Sequence, residues 1–224
     1  MAKLTARLET AKMKLTRTAR SKTPPKAPTG IDAFDEITGG GLPHGRTTLL
    51  EGGPGSGKTV LALQFLVHGA AKCSEPGIFV AFEENPKSIV ANAESFGWNL
   101  ADLQRKKKLY FMDAQIRHDL VQSGDFDLGG MLAALEVKIH ETGASRIVFD
   151  ALDVPLALLP DLKSEKREIY RLHAWLLAHD LTGIITLKSS ADETSSVGRQ
   201  PFGFMQFMAD CAVILSHSMV LGVS

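Results

Sequence analysis

Short runs of apolar residues alternate along the chain with longer segments in which apolar positions recur at a helical period. The runs predict six buried strands, at 47–51 (TTLLE), 78–82 (IFVAF), 109–112 (LYFM), 146–149 (RIVF), 183–187 (GIITL) and 212–215 (AVIL). The segments between them predict helices over 60–71, 86–96, 128–142 and 164–179. Strands that are apolar on both faces are typical of parallel sheets covered by helices, so the pattern predicts an α/β fold with a mostly parallel sheet and helices on both faces.

Length and composition narrow the class of protein further. The chain has 224 residues, of which 44% are hydrophobic and 22% charged, values typical of a globular domain and not of a disordered chain or a coiled coil. The most apolar stretch, residues 148–159, includes Asp150, Asp153 and Pro155 and is shorter than the roughly 18 residues of a membrane helix. Two cysteines are too few for a disulfide scaffold. We therefore expect a cytoplasmic protein that does not enter a membrane.

The charges are distributed unevenly, which predicts a boundary near residue 28. Residues 1–28 contain eight basic residues and one acid, a net charge of +7, whereas the remainder contains 17 basic and 24 acidic residues, a net charge of −7. The sequence TPPKAP at residues 23–28 is typical of an extended linker. We predict a basic flexible arm and linker at 1–28 and a folded domain at 29–224. The arm is a solvated extension, a segment that contacts nucleic acid, a partner or an acidic neighbouring subunit, or an organellar transit peptide. The negative body disfavours general nucleic-acid binding by the domain itself.

A glycine-rich loop indicates nucleotide binding. Residues 52–59, GGPGSGKT, match the Walker A pattern of a P-loop and lie between a predicted strand and a predicted helix, which is the context that the motif requires. In such loops, backbone N–H groups and the helix N-terminus bind a triphosphate, the lysine binds the β- and γ-phosphates, and the hydroxyl binds Mg²⁺. The residues predicted to contact ATP are Gly53, Pro54, Gly55, Ser56, Gly57, Lys58, Thr59 and Val60.

Acidic residues follow two of the predicted strands. Asp150 follows RIVF and is predicted to hold Mg²⁺ with Thr59, the aspartate acting through water. Glu83 and Glu84 follow IFVAF, at the sheet edge where α/β proteins bind ligands, and are predicted to orient and deprotonate a water molecule. Glu83, Glu84 and Lys58 are thus the predicted catalytic residues. The seven histidines show no metal-ligand spacing, so Mg²⁺ is the only metal expected.

Several segments together resemble a known family. Residues 29–45, which lead into GGPGSGKT, the turn FEENP at 82–86, SFGWNL at 95–100 and FMAD at 207–210 are similar to the KaiC branch of the RecA/RadA superfamily of P-loop ATPases, named for the circadian clock protein KaiC. The resemblance extends from residue 29 to the end of the chain. It implies a RecA-like three-layer fold, binding of ATP and Mg²⁺, slow hydrolysis, and a homo-oligomeric, usually hexameric, ring with nucleotide between subunits.

Three departures from the family pattern qualify what the resemblance implies. Ala151 stands where KaiC domains often have serine, and FMQF at 204–207 stands where they often have Val-Glu-Glu-Phe. Family members also continue into a basic hairpin that reaches the neighbouring nucleotide, whereas this sequence ends at Ser224. We expect either a fragment truncated at its C-terminal end or a ring with impaired chemistry.

The main hypothesis is a KaiC-like ATPase that acts as a nucleotide-dependent, ring-forming regulator with a protein partner in a signalling pathway. One alternative is a RadA/RecA-like recombination or repair ATPase that binds DNA. Another is a signalling scaffold in which ATP serves assembly, or an autokinase that modifies a hydroxyl between Ser189 and Ser196.

Overall fold

The computed structural model describes residues 24–115, 128–188 and 205–216. Most of the predicted basic arm, residues 1–23, lies outside these ranges, as does the serine- and threonine-containing segment at 189–196 proposed above for autophosphorylation.

The described residues form one large parallel sheet and one small antiparallel pair. The strands are β1 Lys26–Ala27, β2 Leu42–Pro43, β3 Thr47–Gly52, β4 Gly77–Ala81, β5 Leu109–Asp113, β6 Arg146–Asp150, β7 Thr182–Lys188 and β8 Cys211–Leu215. The six-stranded sheet has the order β5-β4-β6-β7-β3-β8, with every neighbouring pair parallel, and β1 pairs with β2. The carboxyl ends of all six strands therefore meet at one edge of the sheet.

Among the described residues, one short helix lies between β1 and β2, and the others connect strands of the large sheet. The helices are α1 Asp32–Ile37, α2 Lys58–His68, α3 Pro86–Ala93, α4 Leu100–Arg105, α5 Gly129–Thr142, α6 Asp153–Leu156, α7 Leu162–Ala178 and α8 Met205–Met208. A π-helical turn, Gly69–Cys73, extends α2, and a 3₁₀ turn, Glu94–Phe96, extends α3. Among the described residues, no helix is both long and apolar enough to cross a bilayer.

Alternate residues of the strands point into two separate cores. One core packs strand residues such as Leu49 and Phe149 against the apolar faces of α5 and α7. The other packs their sequence neighbours, such as Leu50 and Val148, against α2, α3 and α4. Because side chains alternate along a strand, strands that are apolar throughout supply both cores. This is the three-layer RecA-like α/β fold, so the predicted fold class is confirmed.

The predicted strands and long helices are confirmed, and their ends differ by a few residues. The helix predicted over 60–71 begins at Lys58 and is α-helical to His68, after which the π-helical turn continues to Cys73. The helix predicted over 86–96 is α-helical from Pro86 to Ala93 and continues as the 3₁₀ turn to Phe96. Gly97, whose φ is +74°, follows the turn and ends the helical segment.

Arg146, at the start of β6, is fully buried and joins three distant parts of the chain. Its Nε donates to Glu75 Oε2 at 2.5 Å, and its Nη1 donates to the carbonyl oxygens of Pro28 and Phe65, each at 2.7 Å. A Cβ built on Gly69 would lie 2.5 Å from Arg146 Cδ, so the glycine leaves the space through which the arginine passes. The arginine thereby fixes residue 28 and the end of α2 against the sheet.

We expect Arg146→Met to destabilise the fold by about 3 kcal/mol, because it leaves the Glu75 carboxylate and two carbonyl groups without their donor. Urea denaturation monitored by circular dichroism measures the free energy of unfolding. Arg105→Met, which removes an exposed arginine paired with Asp102, is the control and should change it by less than about 1 kcal/mol. Equal effects of the two substitutions would contradict the role of Arg146.

Candidate nucleotide site

The glycine-rich loop, residues 52–59, connects the end of β3 to the start of α2. Gly55 and Gly57 have φ values of +72° and +90°, in the left-handed region that favours glycine, and Gly57 is the N-cap of α2. Within the described residues, no side chain caps this helix, so its first N–H groups face the loop. A Cβ built on Gly53, Gly55 or Gly57 meets nothing within 4 Å, so open space lies beside the loop. This arrangement of N–H groups at a helix start is suited to binding an anion.

The side chain of Lys58 folds back over the loop. Its Nζ donates to the carbonyl oxygens of Gly52 and Gly53 at 2.7 and 2.9 Å. Burial lowers the pKa of the Lys58 ammonium, and the nearby carboxylate of Asp150 partly opposes this shift. The buried Ser56 Oγ has no hydrogen-bond partner among the described residues. The loop thus contains a cation, the Lys58 ammonium, that can bind phosphate oxygens.

Asp150, the last residue of β6, accepts hydrogen bonds from two threonines. Thr59 Oγ1 donates to Asp150 Oδ2 at 3.0 Å, and Thr186 Oγ1 donates to Asp150 Oδ1 at 2.7 Å. Burial raises the pKa of the Asp150 carboxyl, and the hydrogen bonds from Thr186 and Thr59 oppose the rise. Hydroxyl and carboxylate oxygens are ligands that Mg²⁺ prefers, so these atoms are suited to holding the ion directly or through water.

The turn after Asp150 is fixed by the same threonine of β7. Ala151 has a φ of +64°, and its N–H donates to Thr186 Oγ1 at 2.7 Å. Asp153 follows at the start of α6, and burial raises the pKa of its carboxyl. The Oδ1 atom of Asp153 is buried and has no hydrogen-bond partner among the described residues.

The two adjacent glutamates after β4 have different partners. Glu83 Oε1 accepts a hydrogen bond from Lys188 Nζ, at the end of β7, at 2.5 Å. Glu84 Oε1 instead accepts from Asn92 Nδ2, on α3, at 3.1 Å. Ala81 is paired with Asp150 in the sheet, so the turn that carries Glu83 lies beside the end of β6. Glu83 is therefore in contact with the strand next to the glycine-rich loop, and Glu84 contacts a helix.

The structure brings together most of the residues predicted from the sequence and adds others. Lys58, Thr59 and Asp150 meet at the carboxyl edge of the sheet, with Glu83 linked to them through β7. Thr186 was missed because a threonine inside GIITL is an ordinary strand residue. The pairing of β6 with β7 brings it to Asp150.

We expect Asp150→Asn to stabilise the nucleotide-free chain at neutral pH. The raised pKa of Asp150 means that the fold favours the protonated carboxyl, so stability is lost as pH rises through that pKa. Asparagine removes this loss and can still bond to both threonines. A gain of about 1 kcal/mol would raise Tm by about 2 to 4 °C.

Thermal unfolding from pH 4 to pH 8 tests this expectation, with Glu36→Gln, an exposed acid on α1, as the control. The difference in Tm between Asp150→Asn and the unmodified chain should grow as pH rises. A constant difference, or a lower Tm for the variant at neutral pH, would contradict the assigned cost of burying this carboxylate.

The amino-acid sequence matches a known protein family over most of its length. A family model described as "ATPase: KaiC" matches residues 27–222. The chain belongs to the KaiC ATPase family. The resemblance seen in the sequence is thus confirmed.

The relatives include several proteins named as circadian clock proteins. The chain is 40% identical over 193 residues to the circadian clock oscillator protein KaiC of Prochlorococcus marinus (strain MIT 9313), and 42% identical over 193 residues to that of Thermostichus vulcanus. It is 38% identical over 196 residues to the circadian clock protein KaiC2 of a Synechocystis strain. These matches cover 86%, 86% and 87% of this chain, and 38%, 37% and 34% of the relatives. The chain therefore spans little more than a third of their length.

Proposed function

We propose that this KaiC-family ATPase domain binds Mg·ATP at the glycine-rich loop and hydrolyses it slowly. The observation that carries the proposal is the meeting of Lys58, Thr59 and Asp150 at one edge of a parallel sheet, next to a helix start that lacks a side-chain cap among the described residues. A loop of N–H groups, one lysine, one hydroxyl and one carboxylate is the set of groups that a metal-bound triphosphate needs.

The residues of the loop fit a triphosphate. Open space lies beside Gly53, Gly55 and Gly57, next to the start of α2, where no side chain caps the first N–H groups among the described residues. Lys58, which now donates to two carbonyl groups of its own loop, would turn to the β- and γ-phosphates as a fixed cation. Thr59 and Asp150 would hold Mg²⁺, which neutralises charge that develops on the phosphates when it is bound.

Glu83 is the residue proposed to act as the general base. It lies at the carboxyl edge of the sheet, its carboxylate is half exposed, and it contacts Lys188 on the strand that separates Asp150 from the glycine-rich loop. A carboxylate in this position can accept a proton from a water molecule beside the terminal phosphate. Glu84, bonded to Asn92, is proposed to support the turn that presents Glu83.

Calorimetric titration of the purified chain with ATP, with Mg²⁺ present or with EDTA, tests the binding proposal. One nucleotide per chain, bound more tightly with Mg²⁺, is expected. Absence of binding under both conditions, or binding that Mg²⁺ does not strengthen, would contradict the assignment of Thr59 and Asp150 as the metal-binding pair.

We also propose that the chain assembles into a homo-oligomeric ring that ATP stabilises and that serves a regulatory role. Membership of the KaiC family supports this part of the proposal. Light scattering with and without Mg·ATP tests it: a multiple of 24.2 kDa is expected with nucleotide, and one monomer mass under both conditions would contradict it.

A further inference from the structure

The hydroxyl group of Thr186, in β7, joins two consecutive residues at the end of β6. Its Oγ1 donates to Asp150 Oδ1 and accepts from the backbone N–H of Ala151, each at 2.7 Å. The threonine is only 1% exposed, so water does not compete for either bond. One buried side chain on the neighbouring strand therefore contacts both the carboxylate proposed to hold Mg²⁺ and the turn that follows it.

The chemistry of the two partners fixes the direction of the hydroxyl proton. A backbone N–H can only donate, so the bond from Ala151 occupies a lone pair of Thr186 Oγ1. An ionised carboxylate can only accept, so the single hydroxyl proton is directed to Asp150 Oδ1. Each bond strengthens the other, because a hydroxyl that accepts a hydrogen bond becomes a better donor. Thr186 therefore holds Oδ1 of Asp150 in one direction.

The turn after Asp150 depends on the same threonine. Ala151 has a φ of +64°, in the left-handed region where a residue with a Cβ is strained. The N–H of Leu152 donates to the backbone carbonyl oxygen of Thr186 at 3.2 Å, next to the bond from the N–H of Ala151 to the hydroxyl. Two successive N–H groups of the turn are thus bound by Thr186, and these bonds compensate the strain at Ala151 and fix the end of β6.

The second oxygen of Asp150 faces the glycine-rich loop. Its Oδ2 accepts from Thr59 Oγ1, at the start of α2, at 3.0 Å. The carboxylate therefore has one oxygen bound to β7 and the other on the side of Thr59, the second proposed magnesium ligand. In metal sites, a partner that orients a ligand in this way typically contributes about 10- to 100-fold in metal affinity.

We propose that Thr186 is a positioning residue for the magnesium site, whose hydroxyl group holds Asp150 Oδ1 so that Oδ2 is available, with Thr59, to the ion. The inference rests on the proposed function, since it needs Mg²⁺ at Thr59 and Asp150. It assigns a role in metal binding to a strand that carries neither of the proposed ligands. Loss of the hydroxyl would weaken binding of the metal-bound nucleotide and leave binding of the metal-free nucleotide unchanged.

Thr182, at the other end of β7, provides a matched control. It is also 1% exposed, and its Oγ1 accepts from the backbone N–H of Gly45 at 2.9 Å. Four residues of strand, about 13 Å, separate it from Thr186. Thr182→Val and Thr186→Val each leave one N–H group without its acceptor, so both should lower the Tm of the chain. Only Thr186→Val removes the donor to Asp150.

Calorimetric titration with ATP, with EDTA or with Mg²⁺ present, measures the ratio of the metal-free Kd to the Kd with the metal. Thr186→Val should lower this ratio about tenfold, with the metal-free Kd within about twofold of that of the unmodified chain. Thr182→Val should leave the ratio unchanged. Thr186→Ser should also keep the ratio because serine retains the hydroxyl, whereas Thr186→Cys, of similar size, should lower it because a thiol is a weak donor. The comparison of serine with cysteine decides the question by itself if Thr186→Val does not fold.

An unchanged ratio in folded Thr186→Val would overturn the inference, and so would equal weakening of ATP binding with and without Mg²⁺, since the hydroxyl would then serve the fold alone. Equal ratios in Thr186→Ser and Thr186→Cys would also overturn it, as would an equal loss in Thr182→Val. These results would leave the proposed function standing, provided that Mg²⁺ strengthens ATP binding to the unmodified chain. If the unmodified chain binds no ATP, or binds it no more tightly with Mg²⁺, the proposed function itself fails, and this inference fails with it.

Discussion

Replacing Lys58 with alanine is expected to weaken Mg·ATP binding about a hundredfold. The substitution removes the one ammonium group that the glycine-rich loop itself contains, among N–H groups that carry only partial charge. Loss of a charge-assisted contact with phosphate typically costs about 2 to 3 kcal/mol, which corresponds to that factor. Calorimetric titration of the variant and the unmodified chain measures the change in Kd.

Two controls separate loss of the cation from damage to the loop. Lys72→Ala removes an exposed lysine beyond the end of the same helix and should leave Kd unchanged. The melting temperature of Lys58→Ala without nucleotide should stay close to that of the unmodified chain, because the Gly52 and Gly53 carbonyl groups can bond to water in the open loop. An unchanged Kd in Lys58→Ala would contradict the assignment of this loop as the phosphate site.

Glu83→Gln is expected to reduce ATP turnover by about 10² to 10⁴, the range found when a positioned general base is lost. Glutamine keeps the size of the side chain but cannot accept a proton. Binding of Mg·ATP should persist within a few-fold of the unmodified chain, because Glu83 contacts Lys188 and not the glycine-rich loop. Phosphate release at saturating Mg·ATP measures the turnover.

The adjacent Glu84 supplies a matched comparison. Its carboxylate bonds to Asn92 on α3, so Glu84→Gln should reduce turnover far less than Glu83→Gln, and the double variant should resemble Glu83→Gln alone. If Glu84→Gln were the more damaging substitution, the base would be Glu84, and its bond to Asn92 would have to break when nucleotide binds. If neither Glu83→Gln nor Glu84→Gln reduced ATP turnover, the general base would be a different residue.

The parts of the site that lie on consecutive residues could be predicted from the sequence. The glycine-rich loop is a local structure, since its glycines, its lysine and its threonine act through one turn and one helix start. Asp150 could be predicted because an acid directly after an apolar strand lies at the carboxyl edge of a parallel sheet. The apolar strands themselves predicted two covered faces, and hence the fold class.

Features that depend on which strands are neighbours could not be predicted in the same way. Thr186 bonds to Asp150 only because β7 pairs with β6, and nothing in the sequence of either strand specifies that pairing. The contact between Lys188 and Glu83 crosses a third strand. Arg146 is a charged residue at the start of a strand, so the sequence alone predicts that it is exposed. It is buried because the Glu75 carboxylate and two carbonyl groups from distant segments accept its hydrogen bonds.

The central claim is that this domain hydrolyses Mg·ATP with Glu83 as the base. Its most direct test is the rate of phosphate release per chain, measured across the fractions of a sizing column for the unmodified chain and for Glu83→Gln. The account predicts slow release that follows the protein peak, stops with EDTA, and falls at least about a hundredfold in the variant while nucleotide still binds. Release that is equal in the two proteins, or that does not follow the protein peak, would contradict it.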